Sequence, residues 1–233
     1  MALAWAWLFA NAGMGEMSGE PDMEGMSPGP GPLSSGYLLS TFAMWALMMV
    51  AMMLPSAAPM ILLHARIDRG SDAQRSRDSL LFVLCYLVVW SAFSALAALA
   101  QAALVAAGFL SSRLAAGSHV MSAALLFAAS AWQLTAAKTA CLDQCRSPLQ
   151  FVMRYWKPGV VGAVRLGLRH GLYCLGCCWS LMLLLFVGGV MNLAWIAALA
   201  TIVFIEKIAP PEWRVDRWLA AVLAGGGAYL LVN

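Results

Sequence analysis

Residues His170 to Trp179 read H-G-L-Y-C-L-G-C-C-W inside an apolar stretch. At ~100° per helical residue, His170, Cys174, Cys177 and Cys178 fall within about a third of a turn, so one helix face would carry an imidazole and three thiols. Thiolate and imidazole are the donors that hold Cu(I) or Zn(II). The same spacing also suits three cysteines packing as small hydrophobes. A second pair, Cys141 and Cys145, flanks Asp143 in K-T-A-C-L-D-Q-C-R-S-P. On a helix these two sulfurs share a face and are close enough to share a metal.

Methionine supplies the other sulfur. Met14, Met17, Met23 and Met26 alternate with Glu16, Glu20, Asp22 and Glu24 in the Gly- and Pro-rich segment 14–36, which reads as a flexible loop. Thioethers select Cu(I) and carboxylates attract cations, so this loop is an outer scoop for copper unless its methionines are drift in a low-complexity segment. Met44, Met48 and Met52 follow at i, i+4, i+8, a ladder on one helix face that is either a descending path for the ion or ordinary packing. Pro55 and Pro59 in M-M-L-P-S-A-A-P-M each remove a backbone donor, which predicts a kink and freed carbonyls. Cys85, Gln101, His119 and Gln133 are isolated polar groups, expected to pack or to bond between helices.

The elements that must position these residues are membrane helices. The chain is 62% apolar and 11% charged over 233 residues, with a mean hydropathy of +0.79. Several apolar runs reach the ~20 residues that cross a bilayer, and without water to satisfy the backbone only a helical bundle is stable there. The fold expected is all-α, a polytopic transmembrane bundle of six to seven helices. The spans are 1–13, 37–64, 80–109, 119–137, 170–190, 193–207 and 218–232. The first is too short to cross and lacks a basic flank, so it reads as part of a first helix with its front half missing. The expected domains are therefore that partial helix at 1–13, the Met-rich outer loop at 14–36, and one helical domain over 37–233 with an interfacial segment near 148–157.

Positive charge sets the expected orientation in the inner membrane of a bacterium. Arg66, Arg69, Arg75 and Arg77 fall in loop 65–79, and Lys138, Arg146, Arg154, Lys157, Arg165 and Arg169 in loop 138–169. Lys207, Arg214 and Arg217 lie in or beside loop 208–217. Placing these loops in the cytoplasm puts 13 of the 14 basic residues inside and segment 14–36 and the C-terminus outside. Cys141, Cys145, Cys174, Cys177 and Cys178 then meet a reducing compartment, which favours metal binding over disulfides. Glu206, about 22 Å down its span at ~1.5 Å per residue, comes level with Cys177. It could compensate a cation, accept a proton, pair with Lys207, or simply mark the helix end.

Taken together, W-A-L-M-M-V-A-M-M-L-P-S-A-A-P-M (45–60), C-L-D-Q-C-R-S-P (141–148), H-G-L-Y-C-L-G-C-C-W-S-L-M (170–182), G-G-V-M-N-L-A-W (188–195) and I-E-K (205–207) resemble a bacterial family of predicted metal-binding integral membrane proteins of unknown function. The resemblance covers nearly the whole chain from Trp45 onward and implies an inner-membrane helical protein that binds metal.

The function expected is the handling of a soft ion: Cu(I) uptake or delivery from the outer methionines to the inner Cys and His cluster, with zinc as the rival ion. Glu206 joins the candidate ligands. The partners expected are the lipid bilayer, the ion, a metallochaperone or cuproenzyme, and a second copy in an oligomer; nucleic acid is not among them. A thiol-disulfide redox protein using Cys174 and Cys177, or an assembly subunit of a larger complex, are the alternatives.

Overall fold

A computed structural model describes residues 33–67, 70–110 and 114–232. Segment 1–13 and the loop methionines Met14, Met17, Met23 and Met26 lie outside the described residues. The described elements are helices: α1 Ser35–Ile67, α2 Asp72–Ala106, α3 His119–Gln133, α4 Ala136–Arg146, α5 Pro148–Tyr155, α6 Gly159–Leu183, α7 Leu185–Gly188, α8 Leu193–Ile208 and α9 Val215–Val232. The expected all-α bundle is therefore the fold, with no strand among the described residues.

Four stretches are long and apolar enough to cross a membrane: α1, α2, α6 with α7, and α9 with the short turn before it. Helices α3 and α4, bent by 68°, make a fifth if they form one broken span. The break falls where Thr135 intervenes: its Oγ1 donates to Trp132 O at 2.8 Å and accepts from Lys138 N at 3.2 Å, ending one helix and capping the next. Helix α8 has 16 residues, about 24 Å of rise against a hydrocarbon core of ~30 Å.

Two helices begin well before the spans read from hydropathy. Helix α2 starts at Asp72, where Ser71 and Gln74 form a capping box, and α6 starts at Gly159 rather than His170. Charged residues such as Arg75, Arg165 and Arg169 read as loop, yet a helix continues past an apolar core and carries them on its end. Much of segment 138–169 is accordingly helical. Lys138 and Lys207 also depart from a loop reading, since they are 0% and 6% exposed. Both sit inside the bundle, where partners described below hold their ammonium groups.

Close approach of α2 to α6 depends on Gly167 and Gly171, a small-xxx-small pair. A Cβ at Gly167 would lie 2.4 Å from Phe82 O, and one at Gly171 would lie 2.9 Å from Val89 Cγ2. Helix α1 joins α2 through Trp45 Nε1, which donates to Gln101 Oε1 at 2.8 Å, so Gln101 bonds between helices as expected. Helix α9 lies along α3, where Ser130 Oγ donates to Ala220 O at 2.8 Å. The interior collects sulfur and aromatic rings, including Met48, Met49, Met52, Met53, Tyr86 and Trp90, whereas Leu62, Leu80, Val88, Leu96 and Val222 face outward. An apolar exterior of this kind matches hydrocarbon as the surrounding solvent.

Candidate metal centre

Cys174, Cys177 and Cys178 on α6 are buried, as the helical spacing predicts. Helix α4 lies close to them because Gly176 has no side chain: a Cβ there would be 2.7 Å from Cys141 Sγ. One turn along α4, Cys145 interacts with Cys177. The two α4 thiols therefore do share a face, and that face meets α6. Helix α1 brings Met53, whose Sδ lies 3.9 Å from Cys178 Sγ. Five of the six cysteines and a thioether converge in this way, while Cys85 packs elsewhere, near Gly167.

Each α6 thiol has a distinct tie. Cys177 Sγ and Cys178 Sγ donate back to Cys174 O at 3.1 and 2.9 Å, bonds an incoming ion could replace. Cys174 Sγ instead contacts Tyr86 Oη at 3.1 Å and accepts from Lys207 Nζ at 3.0 Å. Lys207 Nζ also donates to Ser56 Oγ at 2.8 Å; Ser56 Oγ donates to Met53 O at 2.9 Å, and Tyr86 Oη donates to the same carbonyl at 3.2 Å. Helix α1 passes through Pro55 and Pro59 without interruption, and the carbonyl one turn before Ala57 serves as the anchor of this ring.

Glu206 is buried and pairs with Lys138 of α4, not with Lys207. Arg146 Nε donates to Glu206 O at 2.8 Å, so both ends of α4 are tied to α8. The Glu206 carboxylate is near enough to Cys177 to interact with it, in keeping with the common depth expected for them. An ordinary exposed helix end is excluded by its burial at 1% exposure.

His170 lies within an aromatic cage, stacked on Tyr86 and Phe82 at centroid distances of 5.6 and 5.9 Å and meeting Phe151 edge-on at 5.7 Å. Its buried Nδ1 has no hydrogen-bond partner. Met48 and Met52 are buried in the core, and Met44 is partly buried against it. No three His, Cys, Asp or Glu side chains among the described residues form a group that could hold a metal ion. The sulfurs, the Met53 thioether among them, are therefore neighbours without forming a closed three-ligand site.

Sequence reasoning did not find Ser56 or Tyr86, and placed Met53 only among many methionines. Nothing in their spacing points at the α6 cysteines or at Lys207, because helix packing alone brings them together. The Glu206-Lys207 pair inside I-V-F-I-E-K-I was legible as two charges in an apolar run, but not which partner each would take.

An all-helical bundle of membrane-spanning proportions, built around a buried cluster of thiols and a thioether, is the class that fold and site define. Residues 42–230 match the family described as PpoB2, copper chaperone, and the chain belongs to that family. The metal-related part of the resemblance therefore holds, and the description of the family names copper. No curated protein and no solved structure matches the chain.

Proposed function

We propose that this chain collects Cu(I) on the outer side of a bacterial inner membrane and passes it inward to an acceptor protein, drawing a low-coordinate set of ligands from among Cys174, Cys177 and Cys178 rather than from a closed three-ligand group. The observation that carries the reading is the convergence of five cysteines from α4 and α6 with Met53 of α1. Soft sulfur donors select Cu(I), and a low-coordinate monovalent ion needs fewer of them than tetrahedral zinc.

The direction follows from the order of donors. Met14, Met17, Met23 and Met26 gather the ion, Met44, Met48 and Met52 line its path, and Met53 hands it to Cys178. Thioethers persist where thiols oxidise, and thiolates hold Cu(I) more strongly in a reducing compartment, so affinity rises inward. Cys141 and Cys145, less buried than the α6 thiols, form the exit toward the acceptor. His170 Nδ1 is a spare donor one turn from Cys174, and Glu206 balances charge through Lys138. The loops rich in Arg and Lys face the cytoplasm.

Cu(I) titration of the purified protein against a chromogenic chelator tests this. Wild type should take up copper, and a variant with Cys174, Cys177 and Cys178 changed to Ser should lose it. Undiminished uptake by that triple variant would remove the centre from consideration.

A further inference from the structure

Lys207 is the feature that copper binding leaves unexplained. An ammonium on a 6% exposed side chain inside an apolar bundle is costly unless its protons are matched by acceptors. Two acceptors lie within reach: Ser56 Oγ at 2.8 Å and Cys174 Sγ at 3.0 Å. The second is one of the sulfurs of the proposed copper site. The other buried cation, Lys138, is already matched by Glu206, and Arg146 is engaged with the Glu206 carbonyl, so neither substitutes for Lys207 at this sulfur.

Resting on the copper reading above, we propose that Lys207 is an internal competitor for the ion: its ammonium and Cu(I) hold the Cys174 sulfur alternately, and Ser56 retains the ammonium while copper is bound. The exchange is simple in bonds. Cys174 enters as the thiolate that accepts from the ammonium, and its N–H···S hydrogen bond breaks as the Cu–S bond forms; a Cys177 or Cys178 thiol that joins the ion gives up its S–H proton to the bulk buffer; Lys207 keeps its proton and its bond to Ser56 Oγ, and no electron is transferred. On release the ammonium returns to the sulfur. A hydrogen bond to a charged donor is strong enough to matter on the scale of metal affinity, and its re-formation favours departure of the ion. A delivery protein needs this, because a buried set of thiolates with no competitor would keep its cargo.

Ser56 gives the inference a second handle with the opposite sign. Lys207→Gln removes the competing charge, so affinity for Cu(I) should rise by roughly ten- to a hundredfold, with transfer to a chelator slowing in proportion. Ser56→Ala removes the acceptor that keeps the displaced ammonium satisfied, so it should weaken Cu(I) binding, and the double variant should behave like Lys207→Gln. Lys207→Arg retains the positive charge and should stay nearest wild type. The experiment is Cu(I) competition and stopped-flow release on detergent-purified full-length variants. Weaker or unchanged binding in Lys207→Gln, at wild-type helicity, would overturn the competitor role. Should Lys207→Gln fail to fold, Ser56→Ala decides: tighter or unchanged binding there overturns it equally. Absence of Cu(I) uptake by wild type is a different result, sinking the copper site itself.

Discussion

At the scale of residues, Met53 and Met52 illustrate how little a side chain's type says about its use. Both are buried within the same helix, but Met53 Sδ is the sulfur 3.9 Å from Cys178 Sγ. Leucine conserves its volume, so Met53→Leu should change stability by less than about 1.5 kcal/mol while weakening Cu(I) binding by about tenfold or more, read by chelator competition. The α6 cysteines were legible from sequence because helical periodicity alone puts Cys174, Cys177 and Cys178 on one face. Their surroundings were not. Tyr86 stands far away in sequence from Cys174 and reaches it only through the packing of α2 on α6.

At the scale of elements, apolar runs located the helices, while their ends were set by chemistry that hydropathy does not register. The capping box at Ser71 and Gln74 starts α2 among charged residues, and Thr135 separates α3 from α4, a helix that lies mostly in what reads as a loop from 138 onward. That division turns α4 so that Cys141 and Cys145 meet α6. Gly176 is the contact point, and Gly176→Ala would place a methyl 2.7 Å from Cys141 Sγ. The clash should cost about 1–3 kcal/mol in thermal or denaturant unfolding. Adding Cys141→Ala removes the obstructing sulfur and should recover most of the loss, a non-additivity that distant sites do not show.

At the scale of the whole molecule, the bundle is apolar outside and buries its polar groups within, some matched and some, like His170 Nδ1 and the Gln133 amide, without a hydrogen-bond partner. The Lys138-Glu206 pair is the most exacting of these, being buried on both sides. Glu206→Gln leaves an uncompensated ammonium and should destabilise the protein by about 3–5 kcal/mol, with the loss visible first as faster amide hydrogen exchange in α4. Hydropathy was sufficient to read the helical class, and helical periodicity to read the candidate sulfur face, from the chain. The inward placement of two lysines was not readable, because a charge counted by loop statistics cannot be told from one that finds a carboxylate or a sulfur after packing.

Lys138 occupies the first turn of α4, where the free amide groups already concentrate positive potential, so this helix starts with its electrostatics set against it. Glu206 offsets both contributions at once. The arm bearing Cys141 and Cys145 is thereby fastened to α8 through one carboxylate and one arginine contact. Held at both ends by Glu206 and pressed against Gly176 between them, α4 has little freedom to shift, so its two thiols keep a fixed station beside Cys177.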